Sequence, residues 1–317
     1  MIHLGACVSF EFQPNESVEQ GVKRVVTEQL SGALADLNGV EARQADTAVH
    51  SVRKRFKKVR ALLRLVRGAL GEGVFVVENS TFRDTGAALS EVRDATVLVQ
   101  TLDALKEQAD PAAYAVARKR LLARRRAVKR RVIQGGNGLQ SAADQIAQVG
   151  PRVASWPLEG AGWDAIESGI QSIYRKARDA YRHTQTTCHP ELFHEWRKRT
   201  KDLWHQMELL EPLWPEALHS LADEFHALAD TLGLEHDLSV LKTVLEAEAM
   251  SRGEPPSALL AVLEERRTIL AAEAHERGAR LFAEKSKDFV RRLRHYWQAW
   301  QGGEEGRSQL AQDQAPR

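Results

Sequence analysis

Two stretches of the chain carry the same arrangement of anion-binding groups. HSVRKRFKKVRALLRLVR runs from His50 to Arg67, and 144 residues later HEWRKRTK begins at His194, so H-x-x-R-K-R-x-K is written twice. Guanidinium forks can grip two oxygens of one oxyanion, and ammonium groups supply compact charge; an imidazole adds a donor that titrates near neutrality. With His50 at zero and 100° per residue, Arg67, Arg60, Arg53, Arg64 and Lys57 lie between about 260° and 340°, one stripe beside the histidine. Val52, Phe56, Val59, Leu62, Leu63 and Val66 occupy about 120° to 240°, an apolar face suited to a bundle core. His50 to Arg67 holds eight Lys or Arg and no acid. Like charges four apart on a helix repel by roughly 0.2–0.5 kcal/mol each, so something anionic should offset them. In the second copy His194, Arg197 and Lys201 keep the stripe, while Trp204 and Glu208 replace the counterparts of Arg60 and Arg64.

The elements that carry these groups read as helices. Ala, Leu, Glu, Arg and Lys dominate, and apolar residues recur at three and four positions, which predicts an all-α chain. Helices are expected over about 16–37, 43–69, 78–108, 111–134, 162–186, 190–211, 214–250, 255–282 and 285–301. Asn15 or Ser17 can cap the first, Pro111 can open the fourth and Gly135-Gly136 can close it. VFVV at 74–77 has no partner run and reads as a buried connector. The Gly- and Pro-rich stretch 136–161 reads as a linker, and 302–317 as a disordered tail. These divide the chain into a first helical repeat over 10–135 and a second over 162–301.

The repeats align beyond the motif. Arg93-Asp94 falls opposite His236-Asp237, an offset of 143 residues against 144 for the motif, so a duplicated helical unit is the simplest explanation. Duplicated units usually pack about a pseudo-two-fold axis, which would turn the two motif helices toward a shared groove.

A net charge of +2 over 317 residues argues against a general nucleic-acid binder. That average hides sorting. Arg118 to Arg131 holds nine Lys or Arg and again no acid, leaving 28 of the 45 cations to face 43 acids elsewhere. This second basic segment, RKRLLARRRAVKRR, looks like another wall of the same surface. No leader-like or membrane-length apolar run is seen, so a soluble, cytoplasmic protein is expected. Cys7 and Cys188 stand alone, without disulfide or zinc spacing, and read as two buried thiols.

H-x-x-R-K-R-x-K-K-x-R, its second copy, the later LGLEHDLSVL, and the terminal stretches ESVEQGVKRVV and RLFAEKSKDFVRRLRHYW resemble the conserved-histidine α-helical domain (CHAD) family over about residues 10–300. The resemblance implies two similar four-helix bundles, long antiparallel helices around a basic central groove, and binding of inorganic polyphosphate, often at polyphosphate granules. Some family members carry a fused triphosphate-tunnel enzyme domain. Its E-x-E-x-K signature does not occur here, so a stand-alone module is expected.

Carried over position by position, the pattern assigns His50, Arg53, Lys54, Lys57, Lys58 and Arg60, then His194, Arg197, Lys198 and Lys201, to polyphosphate. Charge alone adds Arg118, Lys119, Arg125, Arg126, Lys285, Lys287 and Arg291. Polyphosphate has no base to read and rewards a track of Arg and Lys. Single-stranded nucleic acid usually requires several stacking rings, which makes a nucleic-acid-binding helical protein the weaker alternative. A metal-dependent phosphohydrolase is the third reading. Glu191-x-x-His194 matches one element of a carboxylate-bridged di-metal bundle, but Thr47 takes the equivalent place in the other half. No Gly-rich phosphate loop, nucleophile elbow or spaced acid–base pair occurs, so no enzyme, cofactor or metal is expected. His50 and His194 either donate to phosphate or bond a neighbouring helix; His236-Asp237 is either an orienting pair or a helix contact.

Overall fold

The computed structural model describes residues 10–40, 44–131, 138–187, 189–253 and 258–313, with side chains to 303. Cys7, Cys188 and Gly135-Gly136 lie outside them. The described residues form α-helices and one 3-10 turn, and no strand. In chain order the helices are α1 (Val18–Leu37), α2 (Ala45–Leu65), α3 (Arg67–Leu70), α4 (Glu72–Ala88), α5 (Ser90–Asp103), α6 (Pro111–Lys129), α7 (Gly138–Ala154), α8 (Asp164–Thr186), α9 (Pro190–Leu210), α10 (Pro215–Arg252), α11 (Leu259–Leu281) and α12 (Ser286–Asp313). The chain is therefore all-α, and no described helix is long and apolar enough to cross a membrane.

Local chemistry explains where several helices begin. The Ser17 hydroxyl accepts from the Gln20 backbone N–H while the Gln20 side chain accepts from the Ser17 N–H, a reciprocal cap that starts α1. Asp110 caps α6 through the Ala113 N–H, with Pro111 in the first turn.

Several segments differ from the sequence reading: the helix expected over 43–69 breaks at Val66 into α2 and α3, and the one expected over 78–108 is two, with α4 ending at Ala88 and α5 running only to Asp103. VFVV lies inside α4, where Phe75, Glu78 and Phe82 turn inward at helical spacing and Val76 and Val77 are exposed. The supposed linker at 136–161 contains α7, which buries Ala142, Ile146, Val149 and Val153 against α1 and α4. That three-and-four spacing is a helix signal which the surrounding Gly and Pro mask, and Pro151 sits on the exposed side. The supposed disordered tail is entered by α12, which continues to Asp313; 314–317 lie outside the described residues.

Helix contacts recur along the chain. α1 packs on α2 as α8 packs on α9; α5 packs on α6 as α10 packs on α11; α7 lies on α1 as α12 lies on α8. Across these sets, α2 meets α9 and α5 meets α10. The buried apolar side chains form two clusters, and each draws on both sets. One joins Val22, Leu62 and Phe82 to Ile170, Trp196 and Phe225; the other joins Leu98, Leu102 and Leu121 to Leu241, Leu263 and Leu270. Burial of these faces, at about 25 cal/mol per Å² of apolar surface, thus holds the earlier helices to the later ones as well as each set to itself. One close approach is at Gly169 of α8, where a Cβ would fall on the carbonyl oxygen of Leu65 in α2.

Candidate functional site

The apolar face of α2 is buried as its phase requires: Val52, Phe56, Val59, Leu62 and Leu63 enter the core, with Phe56 edge-on to Phe82 at 5.5 Å. This fixes the rotation of α2 and leaves His50, Lys54 and Lys57 exposed, with Arg53, Lys58 and Arg60 half-buried. On α9, Phe193, Trp196, Leu203 and Met207 play the same part. His194, Arg197 and Lys201 are left half-buried and Lys198 exposed.

The two rows come close enough to act on each other. Lys57 is held down to about 7, first by burial among neighbouring protein atoms and then by Lys201, Arg53, Arg197 and Arg93. Its side chain still reaches solvent, so its desolvation comes from surrounding walls rather than from complete cover. Lys201 is lowered to about 8 by burial and then by Arg197, against the opposing pull of Asp230 and Glu208. His50 is lowered by burial and then by Arg93, Lys57, Lys54 and Arg53. Burial is likewise the first cause for His194, and for His236, which is lowered to about 4. The His194 and His236 rings are 4.5 Å apart. Free of ligand, the histidines are thus biased toward the neutral form.

Hydrogen bonding shows which cations are already occupied. Arg53 donates to the Gly86 carbonyl at 2.5 Å and Arg60 to Asn79 at 3.1 Å, both neutral partners on α4. Arg197 lies over Gly233 of α10, where an added Cβ would stand 3.4 Å from its Nε. That Nε and His194 Nδ1 are buried without a hydrogen-bond partner among the described residues. Lys201 stands over the Trp204 ring at 4.8 Å. Among the described residues, Arg53, Lys54, Lys57, Arg60, Arg197 and Lys201 form no ion pair. Other cations do: Lys58 is 3.3 Å from Glu208, Arg64 is 2.9 Å from Asp202, and Lys198 is 2.8 Å from Glu195.

The remaining candidates stand elsewhere. α6 packs on α5, with Arg118 bound to Asp103 at 2.7 Å and Lys129 to Asp46 of α2 at 2.5 Å. Lys119 and Arg126 are exposed and Arg125 half-buried; Arg126 donates to the Leu122 carbonyl. Lys285, Lys287 and Arg291 are exposed at the start of α12, which packs on α8 and the 3-10 turn Glu211–Leu213, and Arg291 pairs with Asp288 at 2.7 Å.

Sequence reasoning had used Arg93 only as an alignment landmark. In the structure it belongs to the cluster through its effect on His50 and Lys57, and the matched offset to His236 was the signal that could have found it. Asp237 is raised by burial and pulled back by Arg197 and Arg93, which places a carboxyl of α10 near the same group. The Glu191-x-x-His194 element does not assemble as a ligand pair: Glu191 is 90% exposed, and the His194 ring faces His236.

The molecule is all-helical and carries the histidine-led cationic motif on two helices that pack on each other, α2 and α9. The CHAD domain family model matches residues 24–246, well over half of the sequence, and the chain belongs to that family. No curated protein matches it.

Proposed function

We propose that this protein binds inorganic polyphosphate without transforming it, and that this binding would place it at polyphosphate granules. In this reading the two repeats are related by a pseudo-two-fold axis, and the converging faces of α2 and α9, flanked by α5 and α10, form a basic groove. The observation that carries the reading is that α2 packs on α9 with Arg53, Lys57, Arg197 and Lys201 all free of ion pairs among the described residues, and with Lys57 depressed first by burial and then by Lys201 and Arg197 of the other row. Folding has placed Arg53, Lys57, Arg93, Arg197 and Lys201 together with no ion-pair partner among the described residues, an arrangement that a polyanion would relieve. Proposed direct contacts are Arg53, Lys54, Lys57, Arg197 and Lys201, with His50 and His194 able to donate once a phosphate oxygen faces them. CHAD membership is compatible with this chemistry.

Trp204, the one aromatic side chain on the stripes, is stacked on His226 at 3.8 Å and on His205 at 4.3 Å. Its ring is engaged within the protein, which favours a backbone-only polyanion over stacked bases.

Titration with long-chain polyphosphate at two salt concentrations tests the proposal. Affinity should fall steeply with salt through counterion release, and charge reversal at Arg53, Lys57, Arg197 and Lys201 together should abolish it. Retention of affinity in that variant would remove the site. Equal competition by RNA at matched charge would favour nucleic acid, and orthophosphate release with Mg²⁺ or Mn²⁺ would make the protein a hydrolase.

A further inference from the structure

The second copy departs from the first at four cation positions, the last being Arg67, which becomes Glu211, and the structure shows where two of the departures lead. Counting 144 residues on, Lys58 corresponds to Asp202, Arg60 to Trp204 and Arg64 to Glu208. Lys58 pairs with Glu208 at 3.3 Å, and Arg64 pairs with Asp202 at 2.9 Å. The same two positions therefore meet reciprocally across the α2–α9 contact, with both cations on one side and both anions on the other. His205 Nδ1 lies 2.8 Å from the Glu208 carboxylate and keeps it beside Lys58, whose ammonium also lies over the Phe10 ring at 4.4 Å. Asp202 is buried, with Arg199 3.5 Å away as a second cation.

A cation already matched at this distance has little to gain from a phosphate oxygen, because binding would have to break one charged contact to make another. Lys57 and Lys201 have no such contact to lose. Glu208 also lies close enough to Lys201 to raise it, so its negative charge repels a polyanion that extends from Lys201 toward Lys58.

Resting on the polyphosphate reading above, we infer that Glu208 and Asp202 are internal counter-anions that end the binding track: they occupy Lys58 and Arg64, so a bound chain is held around Lys57 and Lys201 rather than along the whole cationic length of α2. They are specificity-determining residues, setting how much of a long polyanion is gripped.

The test compares wild type, Glu208→Gln and the double variant Glu208→Gln/Lys58→Gln, each with short and long polyphosphate over a salt series. Gln at 208 keeps an acceptor for His205, and thermal melting checks the fold; Glu208→Asn serves if the Gln variant is unfolded. Glu208→Gln should bind long chains roughly threefold tighter, with a log K against log salt slope steeper by about 0.7. Short chains should be unaffected. Removing Lys58 as well should cancel both gains. An unchanged slope in Glu208→Gln, or a gain that survives in the double variant, overturns the inference while wild-type binding keeps the polyphosphate reading. Failure of wild type to bind overturns both.

Discussion

α2 and α9 carry one motif and differ in charge at matched positions. On α2 the positions of Lys58 and Arg64 are basic; on α9 the same positions are Asp202 and Glu208. Two identical copies placed face to face would have set Lys58 against an arginine and Arg64 against a lysine. Sign reversal on one copy turns both repulsions into ion pairs, yet the change stops short of Arg53/Arg197 and Lys57/Lys201, which stay basic on both helices. Contact between α2 and α9 and the proposed anion binding would thus fall to different positions of the duplicated motif, with the boundary within about two turns.

The two reciprocal pairs differ in burial, which predicts the largest effect. Asp202 is buried, whereas Glu208 is half-exposed. Asp202→Lys would leave Arg64, Arg199 and the new ammonium crowded together, and should cost about 3 kcal/mol of stability in chemical denaturation. Glu208→Lys should cost about 1 kcal/mol or less. If the two variants prove equally stable, the pairs do not hold the repeats as argued.

Next in size is the response to pH. Lys57 is lowered to about 7 and Lys201 to about 8, from the ordinary lysine value of 10.5. A lysine depressed on folding favours the folded state most at high pH; its contribution is lost as pH falls from near the ordinary value through the folded one. Unliganded protein should therefore lose stability between about pH 10 and pH 7 from these two groups. Polyphosphate should reverse the trend: its charge restores the protonated ammonium, so affinity should rise as pH falls across the same range. Calorimetry in buffers of different ionisation enthalpy should detect net proton uptake on binding near pH 8, and zero uptake would contradict the charge crowding assigned to the Lys57–Lys201 region.

The smallest expected effect sharpens the comparison at its third position. Trp204→Arg restores the counterpart of Arg60 and should steepen the salt slope by about 0.7 for long chains. Because the ring packs on His205 and His226, part of that gain should be offset by a lower melting temperature. A flatter slope would mean that the chain does not pass this point.

Much of this organisation is legible in the residues. Helices α1, α2, α8 and α9 announce themselves by apolar spacing, and the cationic stripe by repetition without interspersed acid. α7 was hidden because Gly and Pro dominate its surroundings, although Ala142, Ile146, Val149 and Val153 hold helical phase. Which cations are occupied could not be read from one dimension. Lys57 and Lys58 are adjacent and chemically identical, but α9 brings Glu208 to one and Lys201 to the other. Partnership across a helix crossing depends on the rotation and register of both helices, and the hydrophobic faces set those together.

Gly169 shows how that register is kept. With no side chain between α8 and the Leu65 carbonyl, the two repeats touch main chain to main chain. A side chain at 169 would collide with the main chain of α2, so the end of α2 can lie this close to α8 only because the residue there is glycine, and α8 in turn packs on α9.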